Sequence, residues 1–175
     1  MTNPVFEAVR TVLAVREYSD QPLSEESLQR IVEAGRLTAS SINRQPWHFV
    51  LVTDRGLLSQ LGQVLKSGPY VAGAGAAVVV GIERESPFGV SDGSRAIQSM
   101  ILTTWGEGIG SNWVGFGNIP SAAELVGLPD HYTVLAVVPF GYPRRALGKG
   151  RKKRKPLAEV VSLNRFETPL EPSEG

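Results

Sequence analysis

Apolar positions recur along the chain with helical spacing in three long segments. The spacing predicts a helix from Pro4 to Arg16, with the proline in its first turn. A second helix is predicted to begin after Ser24, whose hydroxyl can accept a capping hydrogen bond, and two glutamates follow in its first turn. Ser94 to Trp105 has apolar residues three, four, seven and eight positions apart, which predicts a third helix.

Shorter apolar runs between these segments predict strands. The run from Ala76 to Ile82 is apolar throughout, which is typical of a strand covered on both faces. His48 to Thr53 and Tyr132 to Val138 are further predicted strands, Trp113 to Phe116 is a short one, and Ser121 is expected to cap a short helix. Helices that alternate with covered strands predict a layered α/β domain.

Composition removes several classes of chemistry. A chain of 175 residues fits one domain, which can bury roughly 70% of its unfolded surface. Without cysteine there is no disulfide, thiolate metal site or cysteine nucleophile, and the two histidines have no metal-ligand spacing. No apolar run approaches the ~18 residues of a membrane span, and residues 1–10 lack the apolar core of a signal peptide, so we expect a cytoplasmic protein. Redox chemistry would need a bound organic cofactor.

Positive charge is concentrated in one segment. Eight basic residues and no acidic ones lie between Arg144 and Lys155, although the whole chain carries a net charge of only +1. The segment is either a solvated loop or the binding surface for an anion. Nucleic acid is a disfavoured partner, because the rest of the chain is acidic and the segment lacks interleaved aromatic residues.

A polar segment lies between a predicted helix and a predicted strand. Residues 40–47 (SSINRQPW) combine hydroxyls, an asparagine and a glutamine with a tryptophan. Such groups suit a planar heteroaromatic ring with a ribityl or ribose arm. A polar turn with local bonds from side chain to backbone explains the same residues, so both interpretations stay open.

Five pieces of the chain, in this order, resemble the nitroreductase family of FMN-dependent oxidoreductases over nearly the whole length. They are Val15–Tyr18 with Gln21–Leu23, Ala39–Trp47, Glu107–Ser111, Phe140–Pro143, and Arg154–Leu157 leading into Val160 and Val161. The second piece is the most specific.

The resemblance implies an α+β fold with α-β-α layers, in which a mixed central sheet has helices on both faces. It implies a single FMN-binding domain over residues 1–175 and an intertwined homodimer with FMN at the interface. Residues 144–155 would form a basic loop, and residues 164–175 would form a tail that embraces the partner subunit.

The resemblance also implies which residues bind FMN. Arg16 would lie on the phosphate or on the pyrimidine edge, where a cation near flavin N1 favours the reduced ring. Lys152 and Arg154 would clamp the phosphate, and the backbone at Val114 and Gly115 would face the isoalloxazine ring. The remaining candidates belong to the polar segment, which would reach the flavin of the other subunit: Ser40, Ser41, Asn43 and Gln45. No catalytic side chain and no metal are expected, because the flavin carries the chemistry.

The first family motif is incomplete in this chain. Val12 and Ala14 stand where the family usually has Arg and Ser, and each replacement removes a charge-assisted bond of roughly 1.5–3 kcal/mol. Either the cations at 151–155 compensate or phosphate binding is weaker. The middle of the chain is also shorter than in larger members.

The implied activity is reduction of a small oxidised acceptor, nitroaromatic or quinone-like, by NADH or NADPH in a ping-pong mechanism. Two alternatives stay open. One is a family member with other flavin or deazaflavin chemistry, such as dehydrogenation or flavin handling. The other is a nucleic-acid-binding module built on the basic segment.

Overall fold

A four-stranded sheet lies between two layers of helices in the computed structural model, which describes residues 3–117, 119–147 and 152–170. The helices of these residues are α1 (Pro4–Thr11), α2 (Glu25–Arg36), α3 (Arg55–Val64), α4 (Gly89–Gly106) and α5 (Ile119–Leu125). The strands are β1 (Trp47–Val52), β2 (Ala76–Glu83), β3 (Gly110–Ser111) and β4 (Tyr132–Gly141).

The sheet has the strand order β1-β2-β4-β3, and each neighbouring pair is antiparallel. Val79 of β2 lies opposite Val50 on one side and Val137 on the other, so β2 is paired along both edges. Parallel pairing within the described residues consists of one bridge, between Ala14 and Ser111, at the β3 edge. The α+β fold with helices on both faces is confirmed.

The core is divided into two apolar layers by β2. Ala77 and Val79 pack with α3 and α5, whereas Val78 and Val80 pack with α2 and α4, because successive side chains of a strand point to opposite faces. All four side chains are fully buried, and a buried valine contributes about 1.5–3 kcal/mol. The predicted strand covered on both faces is therefore confirmed, and it fixes α4 against the sheet.

The predicted helix ends agree only in part with the structure, and α4 begins at Gly89, five residues before the predicted Ser94. Ser24 caps α2 as expected, with its Oγ accepting from the backbone N–H of Ser27 at 3.1 Å. The predicted helix to Arg16 is wrong at its end, because α1 stops at Thr11 and the chain becomes extended. The backbone N–H of Val15 donates to the Ser111 carbonyl at 2.9 Å, and this pairing with β3 replaces the helical bond. Ser121 lies inside α5 and does not cap it.

The predicted strand over 113–116 is reduced to one bridge, between Val114 and Val137, and β3 lies earlier, at 110–111. Part of the predicted basic loop (residues 148–151) and of the predicted tail (residues 171–175) lies outside the described residues. The described part of the C-terminal segment contains one short 3₁₀ turn, Leu157–Glu159, and is mostly exposed. None of the described helices has the length and apolarity to cross a membrane.

Close contact between β3 and the segment after α1 gives a stability prediction. A Cβ atom added to Gly110 would lie 2.7 Å from the Cβ of Val15, which is itself buried. We expect Gly110→Ala to lower the free energy of unfolding by about 1–3 kcal/mol, because this overlap cannot be relieved by a flexible chain end. Urea denaturation measures the change.

Gly106→Ala is the matched control. A Cβ at Gly106, the last residue of α4, meets no heavy atom within 4 Å, so its stability should be unchanged or raised by up to about 1 kcal/mol. Equal losses in the two variants would contradict the proposed contact.

Candidate functional site

A cleft of about 970 Å³ lies where the C-terminal end of α1, the middle of α4, the residues after β3 and the C-terminal segment meet. Its volume is at the upper end of the range for small-molecule and cofactor sites. The lining residues are Val9, Arg10, Val12, Leu13, Ala14, Gln98, Ile101, Ser111, Asn112, Trp113, Lys152 and Arg154.

Local interactions at the end of α1 shape one wall of this cleft. The Thr11 hydroxyl donates to the Glu7 carbonyl at 2.6 Å and accepts from the indole N–H of Trp105 on α4 at 2.9 Å. These bonds hold the last turn of α1 against α4. The chain then leaves the helix and runs along β3, which places Val12 and Ala14 on the wall.

Positive charge lines one part of the cleft. Arg10, Lys152 and Arg154 are all lining residues, and the described lining contains no carboxylate. The Lys152 ammonium donates to the Val9 carbonyl at 2.6 Å, so it is anchored at the C-terminal end of α1. Burial, and secondarily the charge of Arg154, lower the pKa of Lys152. A bound anion would offset both effects, because it would be attracted to each cation.

The rest of the lining is apolar or carries amides. Leu13, Ile101 and Trp113 supply apolar surface, and Gln98 and Asn112 supply hydrogen-bonding groups. The Asn112 side-chain amide donates to the Tyr70 hydroxyl, which holds it in place. The cleft therefore suits a ligand with a flat apolar ring, polar ring edges and an anionic group.

Two of the predicted phosphate ligands, Lys152 and Arg154, lie on the cleft, but Arg16 does not line it. Arg16 is exposed, and its guanidinium carbon lies 5.9 Å from the centre of the Tyr70 ring. Tyr70 in turn accepts from the lining residue Asn112, so Arg16 contacts a residue that holds the wall of the cleft in place. Its role at the flavin stays a prediction.

The predicted backbone at Val114 and Gly115 lies next to the cleft. The N–H and carbonyl of Val114 both bond to Val137, at 3.0 and 2.9 Å, so these groups are already used by the sheet. Gly115 leaves room for the Trp113 indole, since a Cβ there would lie 2.5 Å from its Nε1. The lining residues of this piece are Ser111, Asn112 and Trp113, one to four positions earlier.

The polar segment lies at the N-terminal end of α4 and does not contribute to the lining described above. The Ser41 backbone N–H and hydroxyl donate to the Asp92 carboxylate at 3.0 and 3.2 Å, and the Gln45 N–H donates to Ser40 Oγ at 2.9 Å. Asp92 is six residues before Gln98, the nearer of the two α4 residues that line the cleft, or about 9 Å along the helix. Within one chain, the polar segment and the cleft are thus separate.

The backbone of this segment is strained. Ile42, Asn43 and Gln45 have φ values of 48°, 56° and 53°, and a branched residue such as Ile rarely adopts this region. Each such residue costs on the order of 1–3 kcal/mol and persists only where its surroundings hold it. Strain of this kind concentrates at binding sites, which supports a functional role for the segment.

Asp92 is the buried group that holds the strained segment. Its side chain is fully buried and forms an ion pair with Arg95, one turn further along α4. Burial alone would raise the pKa of Asp92, but the bonds from Ser41 and the charge of Arg95 outweigh it and hold the pKa below its ordinary value. The carboxylate is therefore charged at neutral pH and fixes Ser41.

Ten of the twelve lining residues were not predicted as site residues, and those with polar or aromatic side chains are Arg10, Gln98, Ser111, Asn112 and Trp113. Asn112 and Trp113 directly precede the predicted pair Val114 and Gly115, whose place at the flavin stays a prediction. Arg10 lies two residues before the first altered motif position. Gln98 carries no sequence signal, because its place depends on how α4 packs against α1.

The fold and the cleft define a layered α+β protein whose cleft suits a planar, anionic ligand. Known proteins of this class resemble the chain in sequence and in structure. The model of the nitroreductase family matches residues 10–86 and 63–142. A protein of Archaeoglobus fulgidus, provisionally named an NADH dehydrogenase/NAD(P)H nitroreductase, is 34% identical over 145 residues, covering 78% of this chain and 83% of the relative. The NADPH-flavin oxidoreductase of Vibrio harveyi is 27% identical over 184 residues, covering 94% of this chain and 75% of the relative.

Solved structures give the same result. The structure of a Parabacteroides distasonis protein, with the same provisional name as the Archaeoglobus relative, superposes with a TM-score of 0.85 at 28% identity. The superposition covers 94% of this chain and 100% of the Parabacteroides distasonis chain. The chain belongs to the nitroreductase family, and the resemblance found in the sequence is confirmed.

The position of Asp92 predicts a pH-dependent contribution to stability. We expect Asp92→Asn to lower the free energy of unfolding at pH 7 by roughly 1–3 kcal/mol, because it removes a buried, paired charge whose partner Arg95 is half-exposed. Since the folded-state pKa is lowered, this contribution is complete above the ordinary value of 3.8 and is lost as the pH falls below it.

Urea unfolding of wild type and variant from pH 7 to pH 3 measures this. The difference between the two stabilities should shrink as the pH falls below 3.8, whereas a constant difference would show that the charge is not its source. Ser41→Ala, which removes one of the two Ser41 bonds, should lose only about 0.5–1.5 kcal/mol.

Proposed function

We propose that this chain is an FMN-dependent oxidoreductase that uses NADH or NADPH to reduce a small oxidised acceptor, nitroaromatic or quinone-like, by a ping-pong mechanism. The observation that carries the proposal is the cleft, where cations and flat apolar surface meet in one volume. Two named relatives support the flavin: the NADPH-flavin oxidoreductase of Vibrio harveyi and an FMN reductase of Bacillus subtilis.

The residues present fit FMN. Lys152 and Arg154 supply cations for a phosphate, and Arg is suited to bind two phosphate oxygens at once. Leu13, Ile101 and Trp113 offer apolar contact to a ring, and the Asn112 and Gln98 amides can bond to its polar edge. When bound, FMN would supply the hydride-accepting and hydride-donating chemistry.

The chain's own part in the reaction is to bind, orient and exclude water. Apart from its cations, the described lining offers a Ser111 hydroxyl and two amides but no carboxylate or histidine. Because the proposal assigns Lys152 to the phosphate, side-chain acid–base catalysis is not part of it. Trp113 is partly exposed beside the cleft and can cover one side of it. Arg16, whose guanidinium lies over the Tyr70 ring, remains our candidate for raising the positive potential near the flavin ring.

We also propose that the protein is a homodimer in which each polar segment serves the partner's cofactor. None of the residues of α1 is buried, although it carries Val5, Phe6 and Val9. The C-terminal segment adds a second set of exposed large apolar residues: Leu157, Val160, Leu163, Phe166 and Leu170. Apolar surface of this extent is typical of an interface. Ser40, Ser41, Asn43 and Gln45 would then reach a site that their own chain does not form.

The mechanism predicts a defined kinetic pattern. Protein purified with FMN should show flavin absorbance that NADPH bleaches without oxygen. With NADPH and p-benzoquinone varied together, double-reciprocal plots should be parallel, because donor and acceptor use the same cleft in turn. Each substrate should also inhibit competitively at high concentration. Intersecting lines would contradict a shared site, and protein that binds no flavin would overturn the function itself.

The dimer proposal predicts the effect of a charge on α1. Phe6, which is 61% exposed, should be buried between subunits, so Phe6→Glu is expected to favour the monomer of 18.9 kDa in light scattering. The control Gln63→Glu adds the same charge at an exposed position of α3, in the other helical layer, and should remain dimeric. A wild-type protein that is monomeric at all concentrations would overturn the proposal.

A further inference from the structure

Arg10 is a cation of the cleft whose function the family motif does not explain. It lies in the last turn of α1 and lines the same cleft as Lys152 and Arg154. Val12 and Ala14, at the motif positions that usually carry phosphate ligands, line it too, but their side chains have no donor. We propose that Arg10 binds the FMN phosphate and replaces the positive charge that Val12 does not supply. The inference rests on the proposed flavin function.

Anchoring of Lys152 supports this arrangement. Its ammonium donates to the carbonyl of Val9, the residue directly before Arg10, at 2.6 Å. The phosphate clamp of the C-terminal segment is therefore fastened to the turn of α1 that carries Arg10. Two or three converging cations are what a phosphate site needs, and Arg10, Lys152 and Arg154 all line this one cleft.

Glu7 competes for the same guanidinium. Arg10 donates from Nε to Glu7 Oε1 at 3.1 Å and from Nη2 to Oε2 at 2.7 Å. Both side chains are about half-exposed, and exposed ion pairs of this kind contribute little net stability. A guanidinium carries five donors and a phosphate more charge than one carboxylate, so the phosphate can share or take Arg10. Glu7 would then weaken FMN binding slightly.

The alternative is that Arg10 only stabilises its helix. The chain provides a direct comparison, because Arg36 pairs with Glu33 at the same spacing in the last turn of α2. Its Nε and Nη2 donate at 2.7 and 2.6 Å, in the same two-bond geometry. Neither Arg36 nor Glu33 lines the cleft. If Arg10 acts only within its helix, removing Arg10 and removing Arg36 should have the same effect on FMN binding.

The experiment compares FMN with riboflavin, which lacks the phosphate. Binding of each to the apoprotein is measured by quenching of flavin fluorescence for Arg10→Gln, Glu7→Gln, Arg36→Gln and Glu33→Gln. Arg10→Gln should weaken FMN binding about tenfold, the loss of one charge-assisted contact, and leave riboflavin within about twofold. Glu7→Gln should tighten FMN binding about two- to fivefold and leave riboflavin unchanged. The two α2 variants should match wild type for both ligands.

Three outcomes would overturn the inference. Unchanged FMN affinity in Arg10→Gln would show that Arg10 does not touch the phosphate. Equal losses for FMN and riboflavin, or a matching loss in Arg36→Gln, would assign its effect to folding. A wild-type protein that binds neither flavin would overturn the proposed function itself, and the role of Arg10 with it. Normal riboflavin binding in Arg10→Gln would show that the cleft is intact. It therefore separates a failure of the Arg10 proposal from a failure of the proposed flavin function.

Discussion

Burial of β2 on both of its faces is the constraint on which the rest of the molecule depends. Its side chains alternate between the α3/α5 layer and the α2/α4 layer, and the strand is also paired along both edges. Neither face of β2 is left to solvent, so both helical layers are required to complete the fold. The layer that contains α4 then determines where chemistry can occur.

One helix, α4, carries both candidate elements. Its first turn holds the polar segment through Asp92, and its middle forms part of the cleft through Gln98 and Ile101. Because a helix is stiff over this length, the two elements are held apart rather than brought together. A fold that fixes its strained polar segment away from its own cation-lined cleft is easiest to understand if a second copy joins them.

Regular elements were predictable where the local pattern and the tertiary contacts agree. The strand at Ala76 to Ile82 and the helix after Ser24 were found within a few residues, because burial and capping act over short distances. The end of α1 was not predictable, since Val12 has the right helical spacing. The bond between Val15 and Ser111, nearly a hundred residues away along the chain, decides the extended conformation instead.

The sequence predicted which kinds of residue the candidate site contains, but not which of them face the cleft. Lys152 and Arg154 were predicted because the motif and the charge run both point to them, and both lie on the cleft. Arg16 was expected there too, yet its neighbour Val15 is buried in the contact with Gly110, and the exposed Arg16 side chain lies over Tyr70. No local pattern shows which side of an extended segment faces a cleft, because that depends on the partner strand.

Clustering of cations shows how the chain can lose motif residues and keep the property they supplied. Attraction between a phosphate and a cation depends on distance and surroundings, not on the position of the cation in the sequence. Arg10 lines the cleft from the last turn of α1, and Lys152, more than a hundred residues further along the chain, bonds to the Val9 carbonyl of the same turn. Burial and the charge of Arg154 lower the pKa of Lys152, so its positive charge is held at a cost while no anion is bound. The fold thus keeps an arrangement that is unfavourable alone and favourable with an anionic ligand, which is the property expected of a binding site rather than of a structural contact.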